Sequence, residues 1–114
     1  MSLLSTLKTL CTTASIPAET GVYTTTPAPA VYAVLVPLED TFECADDIPE
    51  NEVQAVRVSL FDKGNYLTTA KTIAQAIIAE GLTISARRYI GHEDDTGYHH
   101  YVIDVEETYP WEEN

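Results

Sequence analysis

The chain has 114 residues, a length typical of one domain built around one hydrophobic core. Its 18 acidic residues against six lysines and arginines give a net charge of −12, which argues against sequence-independent binding to nucleic acid or to an anionic membrane. The sequence contains no apolar run of about 18 residues and no signal-peptide pattern at its N-terminus, so we expect neither a transmembrane helix nor export.

The charge is unevenly distributed along the chain. Residues 39–52 carry seven acids and no base, and residues 92–114 carry eight acids and no base. Residues 53–91, by contrast, hold five of the six bases. Such an acidic surface serves solubility, and it also suits a protein that must not retain DNA or that meets a basic protein partner.

The first element is an amphipathic helix over residues 2–13, where leucines recur at helical spacing and Ser2 is a suitable N-cap. A stretch rich in Thr, Ala and Pro follows. We expect it to form a loose, extended connection over about residues 14–30, with a short strand at Gly21–Tyr23.

Two long strands come next. β-branched and aromatic residues dominate the first, and alternating apolar residues mark the second, so a long hairpin should pair residues 31–44 with residues 52–61. Pro37 indicates a sheet edge or a bulge near the far end of the first strand. The acidic turn at 45–51 should project from the body.

A second helix is predicted over residues 66–80, with Asn65 as N-cap and Gly81 as the left-handed residue that ends it. The next strand begins at Leu82, and the last strand runs from Tyr98 to Val105. The predicted apolar stripe of the helix consists of Leu67, Ala70, Ile73, Ala74, Ile77 and Ile78.

The predicted element order is α-β-β-α-β-β, which indicates an α+β fold. We expect a two-layer sandwich: a largely antiparallel sheet of four to five strands, with both helices on one face. Residues 1–114 should form a single domain, which ends in an acidic tail at 108–114 that can be flexible. The second face and the open edges of such a sheet favour association with other chains.

The segment His92–His100 contains the residues most suggestive of a metal site. Imidazole and carboxylate groups are suitable metal ligands. However, His99 and His100 are adjacent on a strand and should point to opposite faces. The sequence from Asp94 to Gly97 is typical of a hairpin turn, so we expect a turn and no metal.

Nucleophilic catalysis is also not indicated. Cys11 lies on the predicted core face of the first helix, and Cys44 has acidic neighbours, which raise a thiol pKa. We expect both cysteines to be reduced and half-buried in a cytosolic protein. Arg87 and Arg88 should face opposite sides of their strand, which does not suit a phosphate clamp, and should pair with carboxylates of the final strand or of another subunit.

Aromatic residues in acidic segments indicate a contact surface instead, because aromatic side chains with a polar edge are enriched at interfaces. The candidate oligomer or partner interface comprises Phe42, Glu43, Asp46, Asp47, Tyr109 and Trp111.

Two stretches, Ser59–Tyr66 (SLFDKGNY) and Arg87–Tyr101 (RRYIGHEDDTGYHHY), give the chain a family resemblance. Here it resembles small proteins encoded among the head–tail morphogenesis genes of prophages of Gram-positive bacteria. The resemblance covers roughly residues 3–113. In length and element order the chain is similar to tail completion proteins, also called tail-to-head joining or tail terminator proteins.

The resemblance implies a structural subunit that forms a ring, expected to be a hexamer, at the head-proximal end of the tail. Its partners would be its own copies, the tail tube and the head connector, in the host cytoplasm during assembly and then in the virion. The family implies no catalytic residues and no cofactor, and DNA would at most pass through the ring.

Two other functions fit parts of the sequence. The net charge of −12 fits an acidic binding module or DNA mimic that inhibits a basic host protein. A metal-dependent hydrolase, which we favour least, would use His92, Asp94 and Asp95 with one of His99 or His100.

Overall fold

The computed structural model describes residues 2–111, and the structural statements below concern that range. It confirms the predicted α+β class: two helices pack against a five-stranded, mixed but mostly antiparallel open sheet. The elements are α1 (Leu3–Thr13), β1 (Ala18–Thr20), β2 (Val31–Ala45), β3 (Ile48–Asp62), α2 (Tyr66–Ala79), β4 (Thr83–His92) and β5 (His99–Pro110).

The strand order across the sheet is β1-β2-β3-β5-β4. β1 pairs parallel with β2 over three residues, and every other neighbouring pair is antiparallel. The predicted hairpin is confirmed, and it is slightly longer than expected because its strands continue to Ala45 and restart at Ile48. Pro37 lies beside a bulge in β2, as its missing N–H group suggests.

One face of the sheet, called the helix face below, carries the core. Alternate residues of β2, β3 and β5 point to this face and pack against α1 and α2. The fully buried members include Leu35, Val58 and Ile103 from the sheet, with Leu7 and Ile77 from the helices. The opposite face, called the open face, has no helix over it among the described residues.

The helix ends form as the sequence predicts. The Ser2 hydroxyl accepts a hydrogen bond from the Ser5 amide at 3.2 Å, and the Asn65 side chain accepts one from the Thr68 amide at 3.3 Å. Gly81 has φ +85°, a conformation that glycine adopts without strain. Neither helix within residues 2–111 has the length and hydropathy needed to cross a bilayer.

Three expectations about local structure are wrong. The short strand lies at Ala18–Thr20 rather than Gly21–Tyr23, because the chain leaving α1 reaches β2 earlier. β5 continues to Pro110, so residues 108–110 belong to a strand rather than to a tail, and residues 112–114 lie outside the described range. Leu67 and Ile78 are 63% and 64% exposed, because both lie at the margins of the stripe that α2 buries.

Candidate functional site

A long hairpin arm is the most prominent feature of the molecule. The arm comprises residues 37–54, the turn end of the β2–β3 hairpin, and every side chain from Pro37 to Ile48 is exposed. It makes the molecule elongated, with extents of 52 × 25 × 24 Å. Because β5 pairs with β3 as far as Asn51, the base of the arm is three-stranded.

An aromatic pair lies on the arm. The rings of Phe42 and Trp111 meet edge to face, with centroids 4.8 Å apart. The Trp111 amide donates a hydrogen bond to the Glu50 carbonyl at 2.9 Å, which fixes the end of the chain's described part to the arm. Even so, the two side chains remain 51% and 40% exposed.

Tyr109 of β5 lies on the same face of the sheet as Phe42 of β2. Glu52 of β3 lies between them, opposite both residues. It packs against the core and is half-buried. Burial raises the pKa of Tyr109, and the carboxylate of Glu107 raises it further. The structure therefore brings the three aromatic residues of the predicted interface to one region.

The acidic members of the predicted interface lie on the same arm. Glu43 is exposed and accepts a hydrogen bond from the Asn51 side chain at 3.4 Å. Asp46 and Asp47 form the tip, where φ is +52° and +65°, conformations that aspartate tolerates better than most residues. That these six residues form an interface stays a prediction.

The segment that sequence analysis weighed as a metal site forms a hairpin turn. Its shape is set by the Gly97 amide, which donates to the Glu93 carbonyl at 2.7 Å, and by φ +82° at Gly97. His92 Nδ1 lies 3.0 Å from a carboxylate oxygen of Asp94. Within residues 2–111, no three His, Cys, Asp or Glu side chains converge as a metal-binding group.

The two adjacent histidines point to opposite faces, as predicted. His99 lies on the helix face with its Nδ1 3.0 Å from the Tyr89 hydroxyl, whereas His100 stacks on Phe61 with ring centroids 4.3 Å apart on the open face. His100 Nε2 is buried without a hydrogen-bond partner among the described residues. Burial lowers the pKa of His100, an effect that the nearby Glu93 carboxylate opposes.

The two cysteines differ more than expected. Cys11 is 1% exposed, and burial raises its pKa to about 11, which keeps the thiol protonated and unreactive. Cys44 is exposed near the end of the arm, so the expectation that both are half-buried is wrong. The long hairpin carries Cys44 away from the core.

Sequence reasoning missed an aromatic cluster on the open face. Tyr32 stacks on Phe61 at 4.9 Å between centroids, and the rings of Tyr23 and Tyr98 also contact Tyr32. Beside the cluster is an open groove of about 400 Å³, which also contacts Glu93. The signal was available, because Tyr32 and Phe61 alternate with core residues along their strands.

Two polar features of the sheet were also missed. Asp62 is 3% exposed and accepts hydrogen bonds from the Gly64 amide, at 2.6 Å, and from the Thr69 hydroxyl, which joins the end of β3 to α2. On the open face, Arg57 donates two hydrogen bonds to Asp104, at 2.8 and 3.1 Å, which raise the pKa of the guanidinium. Both features stabilise the sheet rather than suggest chemistry.

The comparisons with known proteins add no family assignment. No protein-family model matches the chain, and no significant match is found among curated proteins.

Proposed function

We propose that this chain is a structural subunit of a phage or prophage head–tail junction, of the tail completion type. It acts by assembling into a ring that caps the tail tube and meets the head connector. It performs no catalytic step and needs no cofactor. It would work in the host cytoplasm during assembly and then in the virion.

The observation that carries the proposal is the arm. A hairpin whose residues 37–48 are all exposed adds little to the stability of an isolated monomer, since these residues bury no core of their own. Phe42 and Trp111 expose apolar surface there, of the kind that subunit interfaces cover. A projecting, partly apolar arm supports a protein that works through contact with further chains.

The charge distribution supports the same role. The arm carries Glu39, Asp40 and Glu43 on β2 and further acids at its tip, with no base between residues 39 and 52. An acidic surface repels the DNA backbone, so a ring with this lining would let DNA pass without retaining it. The same charge fits an acidic inhibitor of a basic host protein, which the experiment below separates.

The test is the solution mass of the purified protein, measured by native mass spectrometry and light scattering over a concentration series. We expect a discrete ring-sized oligomer. A variant in which residues 41–53 are replaced by Asn-Gly shortens the arm and leaves the core intact, and it should remain monomeric. Asp95→Ala in the β4–β5 turn is the control that should assemble normally.

A second measurement addresses the role itself. Added to polymerising tail-tube protein of the same phage, the wild type should stop tube growth, and electron microscopy should show a ring at one tube end. The short-arm variant should leave growth unchanged. A monomer that does not affect the tubes contradicts the proposal, and salt-sensitive capture of a basic host protein would then favour the inhibitor.

A further inference from the structure

We propose that copies of this chain associate head to tail by pairing the outer edge of β4 of one copy with the outer edge of the arm of the next. This inference rests on the proposed ring and names the interface that would build it. Its basis is that the sheet has two unlike open edges whose strand direction and charge match.

The first observation is that both edges are open. β1 covers β2 only at Ala33–Leu35, so the outer edge of β2 from Val36 to Ala45 has no partner strand among the described residues. β4 is the other edge strand, and its residues Ser85–Ile90 are all exposed. Unpaired backbone N–H and C=O groups on such edges are a template for a further strand.

The strand directions fit a simple repeat. β2, β3, β5 and β4 are successively antiparallel, so β4 runs opposite to β2. A second copy in the same orientation therefore presents its β2 antiparallel to β4 of the first. Such a contact uses two different surfaces, which is the condition for a ring.

Each edge contains a regular stretch. In β2 the stretch Glu39–Ala45 follows the bulge beside Pro37, and in β4 the four-residue stretch Ala86–Tyr89 lies between two bulges. Only these stretches keep the spacing that an added strand needs. They are also the stretches that carry the charges.

The charges are complementary on the helix face of the sheet. Asp40 lies on this face, because it is opposite Gln54, whose side chain accepts a hydrogen bond from the α1 amide of Leu3. Arg87 lies on it too, opposite the core residue Ile103. On the helix face, an acid of the arm would therefore meet a base of β4.

The open face repeats the complementarity. Arg88 is opposite Val102 and lies on this face, as do Glu39 and Glu43 of the arm. Within residues 2–111 the ion pairs are Arg57–Asp104 and His92–Asp94, so neither arginine of β4 has a carboxylate partner in that range. Of the two partners expected from the sequence, no carboxylate of the final strand pairs with Arg87 or Arg88 within this range, and a carboxylate of another subunit is the alternative that the proposed interface uses.

Aromatic residues lie beside the charges. Phe42 on the arm is 51% exposed, and Tyr89 on β4 is 43% exposed. Both are on the helix face, since Phe42 shares a row with Tyr109 and Tyr89 is opposite Tyr101. Opposite charges and aromatic pairs across neighbouring strands each stabilise pairing.

β1 sets the stagger between copies. It already pairs with β2 at Ala33–Leu35, the part of β2 that lies in the same cross-strand row as Arg87 of the same chain. β4 of a neighbouring copy must therefore pair with β2 farther along, on the arm. A displacement along the strands at each junction is what allows a sheet to close on itself. The arm is thus the part of β2 that β1 leaves free for a second copy.

The experiment exchanges the charges of one edge at a time. The β4 variant carries Arg87→Glu and Arg88→Glu, and the arm variant carries Glu39→Lys, Asp40→Lys and Glu43→Lys. All five side chains are exposed, so folding should persist, and circular dichroism verifies it. Lys8→Glu with Lys71→Glu is the matched control for the β4 variant, because it changes the charge equally on exposed helix positions.

Each single-edge variant should lose the ring, with association at least about tenfold weaker than in the wild type, because like charges then face each other. The matched control should assemble as the wild type does. An equimolar mixture of the two variants should restore the ring, since each altered edge then meets its opposite. Native mass spectrometry should find equal numbers of both variants in the restored ring.

Two other outcomes overturn the inference in different ways. If the wild type forms a ring and both single-edge variants form it too, or if their mixture stays dispersed, the edges do not pair as proposed while the ring remains. If the wild type is monomeric over the whole concentration range and also leaves tail-tube growth unchanged, both this interface and the proposed ring are refuted.

Discussion

Asp62 offers the sharpest test of how the fold is held together where β3 meets α2. Its carboxylate is 3% exposed and accepts hydrogen bonds from the Gly64 amide and the Thr69 hydroxyl. Asp62→Ala leaves both donors without their acceptor. Hydrogen bonds to charged groups are worth about 1.5–3 kcal/mol each. Allowing for water that reaches the partly buried donors, we expect the free energy of unfolding to fall by about 2–4 kcal/mol.

The assay is urea unfolding followed by circular dichroism. The variant should shift the midpoint and leave the slope of free energy against urea unchanged. Thr69→Val should cost less, because the carboxylate keeps its bond to Gly64, and the double variant should reveal a coupling of about 0.5–3 kcal/mol.

Asp95→Ala is the control, since Asp95 is an exposed acid in a turn, and it should change the stability by less than about 0.5 kcal/mol. A change in stability within that same range for Asp62→Ala would contradict a structural role of this carboxylate, and so would simple addition of the effects of Asp62→Ala and Thr69→Val.

Three further predictions follow from burial. Leu35 is 0% exposed, so Leu35→Ala should lower the free energy of unfolding by about 2–5 kcal/mol in the same assay. Leu38 on the arm is 44% exposed, so Leu38→Ala should lower it by less than about 1 kcal/mol. At about pH 8, a thiol reagent should label Cys44 rapidly and Cys11 only on unfolding, because burial raises the pKa of Cys11 to about 11; prompt labelling of two thiols would contradict this. Burial lowers the pKa of His100 below its ordinary 6.5, so as the pH falls the unfolded chain binds this proton before the folded chain does. The contribution of His100 to the free energy of unfolding is therefore complete above pH 6.5, and it is lost as the pH falls through the pKa of the folded state. The stability advantage of the wild type over His100→Gln should therefore shrink as the pH falls below about 6.5, and an NMR titration of His100 at or above 6.5 would refute the premise.

Much of the fold could be predicted from local signals. Ser2 and Asn65 cap helices because their side chains reach backbone amides three residues away, and Gly81 ends α2 because glycine accepts positive φ. The long hairpin follows from two alternating runs with an acidic turn between them. Such signals act within a few residues, so sequence alone is enough to reveal them.

The grouping of the candidate interface residues could be predicted only in part. Exposed aromatic residues in acidic segments were the sequence signal, and the structure places Phe42 against Trp111 across about 70 residues of sequence. The same reasoning assigned Tyr109 to a tail. Its pairing with β3 depends on register between distant strands, which no local pattern contains.

The sequence by itself determined the fold class, the helix ends, the alternation of core residues and the acidic character of the arm, because these depend on local geometry and composition. Only the tertiary structure decided which strands lie at the edges, that Asp62 is buried and that Arg87 and Arg88 have no carboxylate partner among residues 2–111. These properties depend on which distant strands become neighbours. The strand order places the acidic arm at one edge of the sheet and β4, with its two arginines, at the other edge. No local pattern in the sequence contains that arrangement.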